Sequence, residues 1–526
     1  MITDFRTLAP EAELKAEIVI VGGGAVGLSM AVDLARRGRD VLVVEAGGER
    51  LEKASQAYFE LATTQGRALA GLHAGRFRAL GGTANFWGGQ VLAFDPIVFE
   101  SRPWVADIGW PISASDLEPD YARAFQLLGL SRQIEDAAVW RRLSVDPPAT
   151  GDDLELFFTR WLPEPNLTRL FGKEITTLPN PRVLVNAPVT ALQLGPSGDA
   201  ISALVVGREG GGERRLKGDC VVLASGTVET ARLLMLPTDD GGAAPWSANP
   251  WLGRGFCEHV EVDAGEVALL NAKRFHALFD NAFVDGVKYH PKLKLSAQAQ
   301  RRRRMTGVSA QFTFNSDYGQ ALADAKLFFR SIIKGQFDGN ITKAPGQLWS
   351  ALRVGTPLAV RYLHDRRMYN PTDRGVTLRL SAEQAPLRPS GLRLGETRDG
   401  LGMPVAEMSW SIDEGLVETL AFMARQVGQW LEGEGLAQVR LPPALDALEP
   451  SVLREAVDAN HQMGMVRMAR DPADGVVDPE CRVHGMRNLY VAGAAVFPTT
   501  GFENPTFTAI ALALRTARRL CEEPAR

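Results

Sequence analysis

The chain has 526 residues, a formal net charge of −4 at pH 7 and an isoelectric point near 6.1. Its length allows two or three domain-sized cores, or one nucleotide-binding domain with a large insertion. The slightly acidic balance gives no reason to expect a nucleic-acid partner. The four cysteines form neither a CxxC nor a zinc pattern, and no histidines have metal-ligand spacing on one helix face. We therefore expect no iron–sulfur centre, c-type haem or metal site.

The N-terminal region has no recognisable targeting signal. Residues 1–17 are mixed and acidic, without the basic start and apolar centre of a secretory signal. No stretch approaches the roughly 20 consecutive apolar residues that span a bilayer. We expect a cytoplasmic protein, although export bound to a signal-bearing partner would leave no trace in this sequence.

Residues 18–45 predict a dinucleotide-binding βαβ unit. An apolar run, a glycine-rich turn, a helical pattern and a second apolar run follow one another. Gly22, Gly24 and Gly27 would let the backbone approach a pyrophosphate at the N-terminus of the helix. Glu45 ends the second strand, where its carboxylate is expected to accept hydrogen bonds from a ribose hydroxyl and to disfavour a 2′-phosphate.

Further along the chain, the pattern indicates strands that return to the same sheet. Residues 79–90 form a glycine-rich loop in which the backbone can lie close to a flat or bulky group. Residues 181–206 alternate between apolar and polar as strands do, and residues 221–226 end a buried strand before a helix that starts near Glu229. This order fits a nucleotide-binding sheet that receives a late strand.

Residues from about 240 to 450 have a different character. Alternation at residues 375–380 predicts a strand, and residues 416–431 predict a helix. We interpret this part as a substrate-side domain with a partly antiparallel sheet.

The ordered motifs resemble those of the glucose–methanol–choline (GMC) oxidoreductase family over nearly the full length, and in particular its pyranose-oxidase-like bacterial branch. The matching segments are the βαβ unit ending at Glu45, the loop Gly81 to Trp87, Gly109 to Pro119, Ala224 to Leu234, Leu252 to His259, and a C-terminal series from His461 through Asn504-Pro505-Thr506.

The resemblance implies an α/β FAD-binding Rossmann-like domain with a second, partly antiparallel α+β substrate domain. The FAD-binding domain would comprise residues 1–90, 180–240 and 455–526, and the substrate domain with its insertions residues 91–179 and 241–454. The implied reaction is oxidation of an alcohol carbon to a carbonyl, with hydride passing to flavin N5.

The resemblance also implies the catalytic pair. His461 occupies the position of the family's active-site histidine, and Asn504 occupies the partner position, which holds His or Asn in the family. A histidine with an ordinary pKa of about 6.5 is largely neutral, and therefore basic, at physiological pH. An amide can hold the substrate oxygen without titrating, which leaves a single base. His259 lies in a family motif and is expected to pack or hydrogen-bond near the cofactor.

The resemblance also implies which residues bind the cofactor. The last helix would point its positive N-terminus at the N1–C2=O edge of the flavin. The expected cofactor-binding residues are Gly22, Gly24, Gly27, Glu45, Gly82, Thr83, Asn85, Trp87, Gly88, Val189, Ser225, Gly226, Gly493, Ala494, Pro505 and Thr506.

Two departures from the family pattern affect the cofactor. Several pyranose oxidases bind the flavin covalently through a histidine in the Gly-Gly loop, and Phe86 stands at the matching position. A phenyl ring cannot form that bond, so we expect non-covalent FAD. The family's aspartate in the last nucleotide strand is also absent, because the strand runs into Ala492-Gly493-Ala494.

Residues 326–367 interleave basic and bulky apolar side chains. Such a pattern suits an interfacial membrane helix or a partner groove. We favour the alternative of an amphipathic helical pair that packs on the core as a substrate lid or an oligomer contact.

Three functions remain open. The first is oxidation of a secondary hydroxyl of a sugar or glycoside, with oxygen or another acceptor reoxidising the flavin. The second is a dehydrogenase that passes electrons to quinone or a redox partner at a membrane. The third is a lyase in which FAD is structural, since a base beside a flavin serves both chemistries. A fourth, weaker alternative is an NAD-dependent dehydrogenase, which would explain the N-terminal βαβ unit but not the C-terminal series of motifs. The oligomeric state also stays open.

Overall fold

The structure is a computed structural model that describes residues 1–9, 14–131, 134–207, 212–238, 241, 243–316 and 361–522. The basic, aromatic segment 326–367 therefore lies outside the described residues except for 361–367. In that part, Arg361 pairs with Asp280 and Asp365.

The described residues contain the following strands and helices. The strands are β1 (Ile2–Asp4), β2 (Lys15–Val21), β3 (Val41–Val44), β4 (Thr63–Gly66), β5 (Gln90–Val91), β6 (Leu154–Trp161), β7 (Arg182–Val185), β8 (Val189–Leu194), β9 (Ile201–Gly207), β10 (Glu213–Leu223), β11 (Val260–Leu269), β12 (Ala282–Val284), β13 (Val287–Leu295), β14 (Val308–Phe314), β15 (Val376–Ala382), β16 (Gly391–Arg398), β17 (Pro404–Trp410), β18 (Ala437–Arg440), β19 (Val457–Asp458) and β20 (Leu489–Val491). The helices are α1 (Ala25–Arg36), α2 (Lys53–Glu60), α3 (Gly71–Ala74), α4 (Ala114–Leu127), α5 (Asp136–Arg142), α6 (Leu167–Leu170), α7 (Gly172–Thr176), α8 (Thr227–Met235), α9 (Ala272–Phe279), α10 (Ala297–Arg303), α11 (Leu416–Gly433), α12 (Pro443–Asp446) and α13 (Pro505–Glu522).

The first sheet is the predicted nucleotide-binding sheet. Its strands lie in the order β1-β7-β3-β2-β10-β9-β8, and β20 also pairs with β10. Strands β1, β7, β3, β2, β10 and β20 are parallel to one another, and β9 and β8 extend the sheet as antiparallel strands. Ile18, Val19 and Ile20 of β2 are all buried, as expected for a parallel strand covered on both faces. Helices α1 and α13 pack against each other beside it.

The second sheet is antiparallel and has an apolar face and a polar face. Its strands lie in the order β18-β11-β15-β14-β13-β6-β5, with β12 on β13 and β19 on β11. Helix α11 packs against β11, β14 and β15 and covers their apolar side chains. Because side chains alternate along a strand, the opposite face carries the polar residues. We call this surface the polar face; its polar residues include Thr159, His290, Lys292, Ser309, Gln311, Arg379 and Ser381, and Phe157 and Trp161 of β6 lie on it as well.

These sheets confirm the predicted fold class. The predicted strand at residues 375–380 and the predicted helix at 416–431 are β15 and α11. The strands of the first sheet all lie within residues 1–90, 180–240 and 455–526. Strand β19, from the last of these ranges, pairs in the second sheet, and β4 pairs with β17. The exact domain boundaries stay a prediction.

A buried ion pair connects distant parts of the chain beside the end of β15. Arg102 binds both carboxylate oxygens of Glu383 at 2.7 Å, and the two side chains are 1% and 0% exposed. Arg102 also donates to the carbonyl oxygen of Thr500 at 3.0 Å, and Glu383 accepts from the backbone N–H of Gly307 at 2.9 Å. The pair therefore holds the loop before α13 against the second sheet.

We predict that Arg102→Met lowers the free energy of unfolding by about 3–5 kcal/mol, because Glu383 is left as a buried charge without its partner. The control is Arg301→Met, which removes an exposed pair with Glu100 and should cost less than about 1 kcal/mol. Urea unfolding followed by circular dichroism measures both. Equal unfolding midpoints for the two variants would contradict a structural role for the buried pair.

Candidate active site

A cavity of about 290 Å³ opens beside the nucleotide-binding sheet. It begins where β2, β3 and β10 end, which is where open α/β sheets bind their ligands, and it extends to His461. The predicted cofactor residues that line it are Gly22, Gly24, Glu45, Gly82, Thr83, Val189, Ser225, Gly226, Gly493, Ala494, Pro505 and Thr506.

The glycines of this cavity fall into two groups. At Gly24, Gly226 and Gly493 an added Cβ would meet no atom within 4 Å, so the backbone there is open to the cavity. At Gly22 an added Cβ would collide with the backbone of Ala224 at the end of β10, and this close approach requires glycine. The open positions form a cradle in which a ligand can lie directly against the main chain.

The charge distribution of the cradle suits FAD. Gly24 and Gly226 immediately precede α1 and α8, and Pro505 and Thr506 begin α13. The N-termini of these helices carry partial positive charge and free N–H groups, which favour phosphate and an anionic flavin ring. These residues would hold the pyrophosphate and the ring.

Glu45 is buried and already bonded to the main chain. Its Oε2 accepts from Gly23 N–H at 2.8 Å and its Oε1 from Gly47 N–H at 2.7 Å. Burial nevertheless raises the pKa of this carboxyl. Each oxygen keeps a second lone pair, so a contact with a ribose hydroxyl stays a prediction.

Four of the predicted cofactor residues do not line the cavity. An added Cβ at Gly27 would collide with the carbonyl oxygen of Gly22. The absence of a side chain at Gly27 therefore lets the first turn of α1 lie close to the glycine-rich turn that precedes it. Asn85 donates to the carbonyl oxygen of Leu80 at 2.6 Å, Trp87 donates to that of Pro165 at 2.7 Å, and Gly88 packs against the Trp161 ring. These contacts hold the glycine-rich loop beside the cavity.

A cluster of buried charges also lines the cavity, and the sequence analysis did not predict this cluster. Glu229 pairs with Arg76 at 2.8 Å and with Arg232 at 3.1 Å, and Arg232 also binds Asp399 at 2.7 Å. Burial opposes ionisation of Glu229, but the two guanidinium groups hold its pKa below the ordinary value. Asp399 lies 167 residues from Arg232, so no local pattern could have predicted the cluster.

Phe86 lies just outside the cavity. Its ring is stacked on that of Phe77, with centroids 4.0 Å apart, and Phe77 lines the cavity. Phe86 itself is 53% exposed.

The backbone brings His259 and His461 together. Cys257 and Met463 exchange two backbone hydrogen bonds of 3.0 and 2.9 Å, which fixes the two loops side by side. The Glu258 Oε1 atom then accepts the backbone N–H of His259 at 2.8 Å and that of His461 at 2.7 Å. Burial raises the pKa of this carboxyl well above its usual range.

A chain of hydrogen bonds runs through the two histidines. His259 Nε2 lies 2.8 Å from the carbonyl oxygen of Gly501, and His259 Nδ1 lies 2.9 Å from His461 Nδ1. His461 Nε2 lies 3.1 Å from Asn504 Nδ2. The predicted catalytic pair is therefore in direct contact, and His259 extends it.

The hydrogen-bond chain determines the tautomer of each ring. The Gly501 carbonyl can only accept, so His259 must carry its proton on Nε2. Its Nδ1 is then an acceptor, and His461 must donate to it from Nδ1. The Nε2 atom of His461 is left with a lone pair, which accepts from the amide of Asn504. This assignment follows from the network of partners, because it orients every donor towards an acceptor.

Both histidines are neutral. Burial lowers the pKa of His259 to about 4. Burial also lowers the pKa of His461 well below its usual range, and the positive charge of Lys292 acts in the same direction. The arrangement can therefore accept a proton at His461 Nε2 at neutral pH.

Among the described residues, no group of three or more His, Cys, Asp or Glu side chains could hold a metal ion. None of the described helices combines the length and apolar character needed to cross a membrane.

Comparisons with known proteins agree with this architecture. Residues 17–240 match the family model described as FAD dependent oxidoreductase, and residues 386–513 match the one described as GMC oxidoreductase. The 2-methyl-1,2-propanediol dehydrogenase of Mycolicibacterium austroafricanum is 21% identical over 483 residues, which are 83% of this chain and 79% of the relative. A C-glycoside 3-oxidase of Arthrobacter globiformis is 34% identical over 130 residues, which are 24% of this chain and 22% of the relative.

A solved structure shares the fold. The crystal structure of pyridoxine 4-oxidase from Mesorbium loti is similar with a TM-score of 0.56 and 17% identity, over 97% of this chain and 100% of the other. The two matching family models show that the chain belongs to the glucose–methanol–choline family of FAD-dependent oxidoreductases, as an enzyme that acts on alcohols.

Proposed function

We propose that the enzyme oxidises a secondary hydroxyl of a sugar or glycoside, with His461 as the base. One observation carries this proposal: the hydrogen-bond chain from Gly501 leaves a lone pair on His461 Nε2, next to Asn504. FAD, when bound, supplies the acceptor for the hydride at flavin N5. The substrate hydroxyl then needs a neutral base and an amide donor at its oxygen, and this pair provides both.

His461, Asn504 and His259 have separate tasks. His461 takes the hydroxyl proton at Nε2 as the hydride leaves the carbon. In the structure the Asn504 amide donates to His461 Nε2; when the substrate hydroxyl takes that place, Asn504 would donate its amide N–H to the substrate oxygen, and it does so without titrating. His259 accepts from His461 Nδ1 and so prevents the tautomer in which Nε2 carries the proton.

The polar face supports a polyhydroxylated substrate. Thr159 and His290 are opposite each other on β6 and β13, and Gln90 donates to Thr159 and lies 3.5 Å from His290 Nδ1. The hydroxyl, amide and basic groups of this face can match sugar hydroxyls. The C-glycoside 3-oxidase relative acts on a substrate class of this kind, as its name states.

We propose that FAD is bound without a covalent bond. Phe86 stands at the position where a covalent link would be expected, and its phenyl ring is stacked on Phe77. The acceptor that reoxidises the flavin is oxygen, a quinone or a redox partner, and the experiment below distinguishes oxygen from the others.

The proposal predicts that a sugar or glycoside bleaches the flavin of the purified enzyme without oxygen. The panel contains monosaccharides, glycosides and simple alcohols, with 2-methyl-1,2-propanediol among them. Absorbance near ~450 nm is followed after anaerobic mixing, because flavin loses this band on accepting a hydride. Recolouring on addition of air would indicate an oxidase, and a bleached flavin that stays bleached would indicate another acceptor. Bleaching by the simple diol but by none of the sugars would reject the substrate class.

We predict that His461→Ala slows flavin reduction by substrate about 10²-fold or more, because the general base is lost. FAD should stay bound, since the cradle is formed by backbone groups. The matched control is His484→Ala, which removes a histidine bonded to the carbonyl oxygen of Ala469 outside the cavity. Stopped-flow absorbance measures both rates. An unchanged rate in His461→Ala would remove this residue from the mechanism.

The pH dependence of the reduction step follows from the lowered pKa of His461. The base is active when neutral, and a lowered pKa keeps the neutral form dominant to a lower pH. We therefore predict a constant rate of flavin reduction, at saturating neutral substrate, from about pH 8 down to about pH 6.5, where an ordinary histidine is half protonated. The rate should fall only below that range. A half-maximal rate at about pH 6.5 would show that His461 is not perturbed as the structure indicates.

A further inference from the structure

The cavity follows the ends of the parallel strands in the order in which they lie in the first sheet. The cavity residues that come after β7, β3, β2, β10 and β20 are Ala187, Glu45, Gly22, Ser225 and Gly493. The loop of His461 lies at the β20 end, because the backbone N–H of Gly464 donates to the carbonyl oxygen of Ala494 at 3.0 Å. The β3 and β7 end of the cavity therefore lies away from the catalytic pair.

The βαβ unit indicates the direction in which FAD lies along this edge. In such units the pyrophosphate lies at the glycine turn after the first strand, and the acid after the second strand binds the ribose of adenosine. The pyrophosphate would therefore lie at Gly22 and Gly24, and the ribose at Glu45. The adenine ring would then lie beyond Glu45, towards the end of β7.

The hairpin of β16 and β17 reaches the cavity at this same end. Leu401 and Met403, in the turn between the two strands, line the cavity together with Ala187 and Val189. An added Cβ at Gly207, the last residue of β9, would lie 3.7 Å from Leu401 Cδ2. Strand β9 pairs with β8, and β8 begins at Val189. The turn of the hairpin therefore lies next to the strand that follows β7.

A buried ion pair holds this turn in place. Asp399 Oδ1 accepts the backbone N–H of Leu401 at 2.9 Å and that of Met403 at 3.0 Å. Its Oδ2 accepts from Arg232 of α8 at 2.7 Å, and the side chains of Arg232 and Asp399 are 7% and 1% exposed. Arg232 Nε also donates to the carbonyl oxygen of Pro404 at 2.7 Å. Because losing either charged partner would leave a buried charge, the turn stays beside α8.

The side chains at this end suit a flat heterocycle. Leu401 and Met403 are only half-buried, although both are apolar, and they face a cavity whose other wall here carries Ala187 and Val189. A thioether makes favourable contacts with aromatic rings, and apolar walls are typical of sites that bind ring systems. A ring inserted at this end would complete the burial of Leu401 and Met403.

We propose that the turn of residues 399–403 covers the adenine ring of FAD, with Leu401 and Met403 packing on the ring and Asp399 positioning them through its bond to Arg232. The turn belongs to the range 241–454 that the sequence predicts as the substrate domain, so that part of the chain would complete the cofactor site. This inference goes beyond the proposed function, because it concerns how the cofactor is retained and not which substrate is oxidised.

The first experiment measures how tightly the holoenzyme holds FAD. The dissociation constant is obtained from the flavin fluorescence released on dilution. We expect Leu401→Ala to raise it about 10-fold, because apolar contact with the adenine ring is lost. Leu401→Met keeps an apolar side chain of similar size and should retain most of the affinity. The matched control is Leu270→Ala, since Leu270 is 56% exposed and does not line the cavity.

The second measurement identifies the half of FAD that Leu401 contacts. The absorption spectrum and the reduction potential of the bound flavin should be the same in Leu401→Ala and in the wild type, because the adenine ring is not part of the flavin chromophore. Equal dissociation constants in the two proteins would overturn the proposal. A shifted flavin band or potential in Leu401→Ala would also overturn it, since Leu401 would then act on the flavin half.

The third measurement tests the positioning role of Asp399. We expect Asp399→Ala to raise the dissociation constant of FAD as Leu401→Ala does, and the double variant to bind FAD little more weakly than Asp399→Ala alone, because both changes remove the same contact. Fully additive effects would show that Asp399 does not act through Leu401. The melting temperature verifies that each variant is folded, and if Asp399→Ala does not fold, the comparison of Leu401→Ala with the wild type decides alone. None of these measurements needs a substrate, so a failure of the proposed sugar oxidation would leave their result unchanged.

Discussion

The carbonyl oxygen of Gly501 can only accept a hydrogen bond, and the protonation of the whole active-site chain depends on this constraint. It fixes the proton of His259 on Nε2, which in turn fixes the proton of His461 on Nδ1. A free histidine exchanges between two tautomers, and in the other tautomer His461 Nε2 would carry a hydrogen and could not act as a base. The position of one loop carbonyl therefore determines the chemistry of a side chain that it does not touch.

The loop that carries Gly501 is held in place by a buried ion pair. Arg102 joins Glu383 at the end of the second sheet to the carbonyl oxygen of Thr500, one residue before Gly501. Because the ion pair is fully buried, its partners cannot be replaced by water, and the loop keeps its place. Asn504 lies at the end of the same loop and the start of α13. The second sheet thus positions both the tautomer-determining carbonyl and the amide that contacts His461.

The sequence predicted what local patterns encode. The glycine turn at Gly22 and Gly24 and the acid at Glu45 follow from hydrophobic periodicity and spacing, and the structure places all three on the cavity. His461 and Asn504 were paired only through the resemblance to a family, and the structure brings them into contact. Trp87 and Asn85 show the limit of motif reasoning, since both lie in the predicted loop but bond to the backbone of neighbouring segments.

Contacts between distant segments could not be predicted. His259 and His461 are 202 residues apart, and their contact depends on the backbone pairing of Cys257 with Met463. No spacing rule encodes such a pairing. The orientation of the polar face was equally hidden, because an alternating strand shows that one side is polar but not what that side faces.

The electrostatics of the site reconcile two opposite requirements. An FAD cofactor that becomes anionic on reduction is stabilised by positive potential, whereas a base must stay uncharged. Near the predicted ring and pyrophosphate positions, the positive potential comes from the N-termini of α1, α8 and α13, which have no proton to exchange with His461. Burial and the charge of Lys292 then lower the pKa of His461, so the same positive surroundings keep the base neutral. A histidine with a lowered pKa is a weaker proton acceptor, and under the proposed function it could still act as the base because the hydroxyl proton becomes more acidic as the hydride departs from the same carbon.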